Sequence, residues 1–258
     1  MDPSKIENII SKRTKCLIIT HLNGLPGNMK IITKIAKKYK IKILEDCSQA
    51  IGTKYNGIHV GNFGDIATYS LHPTKNLGVF GDGGFITTKN KKYYEKILQI
   101  RNNGLINRDV TSLIGRNSRL DNFQAIVGLL QLKNINKHIN LRQKNAKYYD
   151  KQLSSIKEII STPSDFILKN STHTYHRYVL ICQKRDGLLK FLIKNNIDAK
   201  IHYPINIHEQ FQFKKFYTNN LTITNNLNKK IISLPVHENL NLNDLNKVIF
   251  YIKRFYNK

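Results

Sequence analysis

The chain has 258 residues, with 42 Lys+Arg against 17 Asp+Glu for a formal net charge of +25, and that length holds one large domain or a large domain with a smaller companion. The charge invites a nucleic-acid partner, yet 33 of the cations are Lys and only 9 are Arg, the reverse of what bidentate phosphate and base recognition favours. No apolar run nears the ~20 residues of a membrane span, and the odd, widely spaced Cys16, Cys47 and Cys182 exclude a disulfide framework and fit a reducing, cytoplasmic setting.

In chain order, residues 16–22 (CLIITHL) read as a buried strand, and residues 29–40 carry apolar side chains at helical spacing. Residues 41–47 (IKILEDC), 66–71 (IATYSL) and 83–88 (GGFITT) are again strand-like. A strand–helix–strand opening predicts a parallel α/β sheet with a right-handed crossover. Glycines crowd the stretch from 52 to 84, which is therefore dense in tight turns. One or two long helices are predicted over 120–152. The pattern breaks at 161–174, a candidate domain boundary. Beyond it come a strand at 175–182, a helix at 186–196, a strand around 198–203, an apolar run at 231–236 and a closing amphipathic helix at 242–256. That tail reads as a small α+β unit. Lys, Asn and Ile, which share A/T-rich codons, make up 99 of the 258 residues, so the positive surface reads as a compositional background. The opening MDPSKIENII has no apolar signal-type core.

Chemistry concentrates between residues 45 and 84. Glu45 and Asp46 close a strand, and ligands of open α/β sheets sit at the carboxyl ends of strands; the plain alternative is that Asp46 caps the next turn. Lys75 follows 29 residues later among turn residues, where a neighbouring strand would deliver it to the same sheet edge. A lysine desolvated in such a cleft is a candidate for Schiff-base chemistry, against the alternative of one surface charge among many. The run GDGG at 81–84 is not a phosphate loop, since neither GxxxxGK[ST] nor GxGxxG occurs. His202, His208 and Glu209 lack the i, i+4 pairing of helical zinc motifs, so no metal is expected.

The segments EDCSQAIGTKYNGIHVGNFGD, YSLHPTKNLGVFGDGGFITT, RNNG, GRNSRLDNFQA, YHRYVL, IHYPINIHEQ and IISLPVHENL, in that order, resemble the pyridoxal 5′-phosphate (PLP)-dependent nucleotide-sugar aminotransferases of the DegT/DnrJ/EryC1/StrS type. The resemblance runs nearly end to end. It implies an α/β fold of the aspartate-aminotransferase-like kind (fold type I) and a homodimer with shared active sites. It divides the chain into the remainder of a PLP-binding large domain at 1–133, a connecting helix at 134–160 and a small C-terminal domain at 161–258. Lys75 matches the lysine that bonds the cofactor and shuttles a proton, and Asp46 the carboxylate that pairs with the pyridinium nitrogen. Gln49 matches the residue beside the cofactor's phenolic oxygen and ring, and Ser70 a hydroxyl that holds its phosphate. Asn117 matches an asparagine that reaches the phosphate from the neighbouring subunit. His72, Arg119, His202 and Tyr203 are candidates for substrate contact, with a turn histidine, a helix-entry arginine and packed aromatic side chains as the plainer readings.

A branch of the family that dehydrates its substrate carries histidine at the lysine position, so Lys75 favours amino transfer. The resemblance implies an amino acid, usually glutamate, as donor and a keto nucleotide-sugar as acceptor, with the 3-keto-6-deoxy type the best match, in amino-sugar or surface-polysaccharide biosynthesis. It also departs from the family: MDPSKIENIISKRTK matches an internal stretch of the family pattern. The preceding segment, which carries a phosphate-binding Gly-Thr turn, a ring-stacking aromatic residue and several strands, has no counterpart, so the large domain is expected to be incomplete and to expose a sheet edge and an apolar face. Two other readings stand beside an aminotransferase: a non-catalytic remnant or C-terminal half that needs a separate N-terminal chain, and a basic nucleic-acid-binding protein.

Overall fold

The computed structural model describes residues 2–216 and 221–257. The chain forms two units, one of residues 1–139 with 168–176 and the other of 140–167 with 177–258. In the first, strand β1 (Cys16–Thr20) leads through a turn into helix α1 (Met29–Tyr39) and then strand β2 (Lys42–Asp46). The Asn28 side chain caps α1 by accepting from the Ile31 amide. Lys40 ends the helix in a left-handed conformation (φ 53°). A short hairpin, β3 (Lys54–Tyr55) and β4 (Ile58–His59), follows. It turns on Asn56 and Gly57, both at positive φ, as a two-residue hairpin loop requires. Strands β5 (Ile66–Ser70) and β6 (Gly84–Thr87) complete a four-stranded sheet of order β1-β2-β5-β6. The first two pairings are parallel, as the strand–helix–strand pattern predicts, whereas β6 is an antiparallel edge.

The register aligns Thr20, Asp46, Thr68 and Ile86 across the sheet, with Ile18, Leu44 and Ile66 in the row below. Alternation along each strand sends neighbours to opposite faces. Leu17, Ile19 and Ile43 therefore pack against Met29, Ile32, Ile35 and Ala36 of α1 in one buried cluster. The other face is open: Ile18 is 59% and Ile86 48% exposed, and Leu44 and Ile66 are half-buried. Helix α2 (Lys91–Arg101) follows β6. It has no buried residue, so the apolar periodicity that reveals helices is weak there.

A single helix, α3 (Asn122–Leu153), covers the stretch predicted as one or two. The second unit holds β7 (Ile159–Ser161), β8 (Tyr178–Cys182), α4 (Arg185–Lys194), α5 (Thr222–Asn228), β9 (Ile231–Leu234) and α6 (Leu242–Phe255). Its antiparallel sheet runs β7-β8-β9. The strand expected around 198–203 is absent. Only one bridge forms there, Lys200 N to Ser233 O at 3.1 Å with its reciprocal at 2.7 Å, and Pro204 has no amide to extend it. The strand expected over 175–182 begins at Tyr178 because Tyr175 stands at φ 47°, outside the extended region.

Candidate functional site

Strand β2 ends in two adjacent carboxylates whose side chains take opposite faces. Glu45 points into the core and is fully buried together with His21. Its Oε1 accepts from the Phe63 amide at 2.8 Å and the Gly64 amide at 2.6 Å. Its Oε2 accepts from the Gly61 amide at 2.7 Å and from His21 Nε2 at 3.0 Å. The Gly27 amide donates to His21 Nδ1 at 3.1 Å, which makes Nδ1 the acceptor and places the imidazole proton on Nε2, facing Glu45. Burial pushes the Glu45 carboxyl up, but the donors from His21, Gly61 and Gly64 outweigh it and hold the group below the ordinary value.

Asp46 takes the open face and is half-buried. Its Oδ1 accepts from the Ser48 amide at 3.0 Å, and Thr20 Oγ1 stands 3.5 Å from Oδ2. The turn-capping contact is thus present, and it occupies only one of the two oxygens at short range. Gln49 Oε1 accepts from the Asn23 amide at 2.7 Å, so the amide NH2 is the end it offers outward.

The parallel pairing of β2 with β5 brings the carboxyl ends of both strands to one sheet edge. Just past β5, Ser70 Oγ accepts from the His72 amide at 3.3 Å. His72 Nδ1 accepts from Thr74, whose Oγ1 lies at 2.9 Å and whose amide lies at 3.2 Å; the imidazole is thereby fixed with Nε2–H pointing away from the turn. The Lys75 amide donates to His72 O at 2.8 Å, closing the turn that delivers the half-buried lysine. The next residue, Asn76, is buried and donates from Nδ2 to Thr174 O at 2.9 Å, with its Oδ1 unpartnered.

The structure therefore gathers Asp46, Gln49, Ser70, His72 and Lys75 along one end of the sheet. Asn117 and Arg119 lie in the same unit as exposed residues of the 102–119 segment, where Arg119 Nε donates to Asn117 Oδ1 at 2.9 Å. His202 and Tyr203 belong to the second unit. There His202 Nδ1 lies 2.9 Å from Ser233 Oγ, and the Arg177 guanidinium sits 5.3 Å from the Tyr203 ring centroid. Burial, then the nearby charges of Arg177 and Lys200, push His202 down to about 4.

Sequence reasoning missed His21, Thr53, Asn76 and Thr174 as supports of the site. The one available signal was a histidine, His21, directly after an apolar strand. His21, Glu45 and Cys47 form the one group among the described residues with metal-ligand proximity. Four donors already fill Glu45, and burial pushes the Cys47 thiol up to about 12, so this donor set suits N–H groups rather than a cation. A recess of about 580 Å3 lined by Glu7, Asn28, Lys34 and Tyr55 includes none of the gathered residues, so chemistry rather than concavity marks the site. A half-buried carboxylate, a half-buried amine and a hydroxyl at one strand edge fit what PLP needs for its ring nitrogen, carbonyl and phosphate.

The family described as the DegT/DnrJ/EryC1/StrS aminotransferase family matches residues 1–253. The chain is 34% identical to a pleiotropic regulatory protein of Geobacillus stearothermophilus, with 99% of this chain and 69% of that protein covered. It is also 34% identical to the dTDP-3-amino-3,6-dideoxy-alpha-D-galactopyranose transaminase of Aneurinibacillus thermoaerophilus, over 99% of this chain and 69% of the relative. The UDP-N-acetyl-3-dehydro-alpha-D-glucosamine 3-aminotransferase of Acidithiobacillus ferrooxidans is 32% identical over 96% and 66%. Among solved structures, DesV of S. venezuelae superposes with a TM-score of 0.94 at 28% identity, over all of this chain and 69% of that one. NtdA of Bacillus subtilis, solved with bound PMP, gives 0.89 at 28%, over 100% and 60%. The chain thus spans about two thirds of the length of the curated relatives it matches.

Proposed function

The chain belongs to the DegT/DnrJ/EryC1/StrS aminotransferase family, whose members are PLP-dependent sugar aminotransferases, and from that premise we propose that it transfers an amino group from an amino acid, glutamate, to a keto nucleotide-sugar. The observation that carries the reading is the delivery of Asp46 and Lys75 to one edge by the adjacent parallel strands β2 and β5. PLP, when bound, supplies an electron sink for carbanion chemistry. Asp46, through its outward oxygen, would hold a proton on the ring nitrogen. Lys75 Nζ would anchor the cofactor and carry the proton between the donor's Cα and the cofactor's C4′ carbon. Ser70 Oγ binds phosphate, and the outward NH2 of Gln49 orients the ring oxygen. Asn117 serves the site of a second copy in a homodimer, and His72 and Arg119 contact the sugar nucleotide.

The names of two relatives specify amination or a keto group at sugar carbon 3, which supports a 3-keto acceptor, and one of them names a 6-deoxy sugar, which supports the 3-keto-6-deoxy type, on an amino-sugar route in the cytoplasm. Purified protein mixed with PLP should develop a visible absorbance band that borohydride bleaches. A Lys75→Ala variant that behaves like the wild type would sink the assignment. The open sheet face with exposed Ile18 and Ile86 favours a second reading, in which the chain reaches activity only with a further polypeptide on that face. Turnover by the isolated chain excludes it.

A further inference from the structure

We infer that the turn His21–Gly24, between β1 and α1, is the positioning hub of this site. Three of its four residues each hold a different segment: the segments that carry Asp46, Gln49 and Lys75. The inference rests on the PLP reading for its function and on the hydrogen-bond network for its geometry.

His21 holds the first segment twice. Its amide donates to Asp46 O at 3.0 Å, and its Nε2–H meets Glu45, the residue beside Asp46. Asn23 holds the second, its amide taking the Gln49 oxygen and thereby deciding which end of that side chain faces outward. Gly24 holds the third through a relay. Its carbonyl accepts from Thr53 Oγ1 at 2.8 Å and from the Thr174 amide at 3.1 Å. Because the Thr53 hydroxyl is committed to Gly24, the proton in the 3.0 Å contact between the two threonine hydroxyls comes from Thr174. Thr174 O then accepts from Asn76, next to Lys75.

His21, Glu45, Thr53 and Thr174 are all fully buried, and Asn76 is 5% exposed. Water does not replace a lost partner at such depth, so the network responds as a unit. Gly24 keeps the turn in place: it stands at φ +96°, and a Cβ would meet Thr174 Oγ1 at 2.6 Å. On the PLP reading these residues are positioning residues that act through Asp46, Gln49 and Lys75.

The test compares His21→Leu, His21→Gln and Asn76→Leu with a control, Leu188→Ala, which empties a fully buried position of the second unit. Glutamine retains both a donor toward Glu45 and an acceptor toward Gly27. His21→Leu should weaken PLP binding about tenfold, the equivalent of one or two misplaced hydrogen bonds. It should also move the pH midpoint of the visible band, while His21→Gln restores both. Leu188→Ala should lower the melting temperature and leave both unchanged. In the cofactor-free protein, hydrogen exchange at the Asn23 amide should speed up in His21→Leu and remain slow in His21→Gln.

Wild-type PLP affinity, pH midpoint and Asn23 protection in His21→Leu would overturn the hub. If wild-type protein gives no visible band, the PLP reading fails while amide exchange still decides the hub. Should His21→Leu not fold, Asn76→Leu, which removes the donor to Thr174 O, decides: faster exchange of the Lys75 amide supports the relay, and unchanged exchange overturns it.

Discussion

Replacing Glu45 with Gln changes one oxygen to NH2 and little else in volume. Glu45 accepts four hydrogen bonds, two at each oxygen, all from N–H donors. With the new NH2 at Oε1, the Phe63 and Gly64 amides lose their acceptor. With it at Oε2, the Gly61 amide and His21 Nε2–H lose theirs. His21 cannot rescue the second arrangement by moving its proton to Nδ1, because Nδ1 already faces the Gly27 amide. Either way two buried donors stay unpaired, at about 1–3 kcal/mol each, so the expected loss is about 2–6 kcal/mol. At roughly 2–4 °C per kcal/mol for a chain of this size, the melting temperature should fall by at least about 4 °C.

Urea and thermal denaturation at several pH values measure this. The Glu45 carboxyl is held below its ordinary value of 4.5. Its contribution to stability is therefore full above that pH and disappears as pH falls through the lower folded value. Wild type should lose this component in acid, and Glu45→Gln should not. A loss below about 1 kcal/mol, or an unchanged acid slope, would refute the four-donor account.

Three further outcomes follow from the same structure. Gly24→Ala should lose at least about 1–2 kcal/mol in urea denaturation, the cost of a side chain in a left-handed backbone, with the Thr174 contact added; an unchanged midpoint would show that the turn relaxes freely. His202, depressed to about 4, protonates more readily in the unfolded chain, so its contribution is full above 6.5 and is lost as pH falls toward and through about 4. His202→Asn should flatten the stability profile across that window, and an identical profile would refute the assignment. Cys16 is the exposed thiol while Cys47 and Cys182 are buried, so native protein should react with one equivalent of a thiol reagent and Cys16→Ser with none on that timescale; rapid reaction of three thiols would contradict the packing.

The first sheet was legible because its period-two and helical patterns are clean: Leu17, Ile19 and Ile43 alternate, and Met29, Ile32, Ile35 and Ala36 share one helix face. The elements that escaped lack such a pattern. Helix α2 buries nothing, β7 is three residues long, and the Asn-rich α5 has no buried residue. The resemblance supplied candidates at the site, and the β2–β5 pairing explains why residues 29 apart share an edge. The supporting network was out of reach for a different reason. Thr53 and Thr174 are 121 residues apart and Asn76 and Thr174 are 98 apart, and no local periodicity reports a contact between small polar residues at that range.

Glu45 and Asp46 show how the network and the site depend on one another. They are adjacent carboxylates on a strand whose side chains alternate faces, so a slip of one residue would exchange them. The β1–β2 register, Ile19 against Glu45 and Thr20 against Asp46, decides which enters the core. The core side presents four N–H groups converging within 3.0 Å on one carboxylate. The open side presents the Ser48 amide and, at longer range, the Thr20 hydroxyl. Aspartate is one methylene shorter and would stand back from the core donors, so only the observed register satisfies all four. Glu45 thus fixes the side of the sheet on which Asp46 stands, and substitutions at Glu45 reach Asp46 through strand register before they reach it through charge.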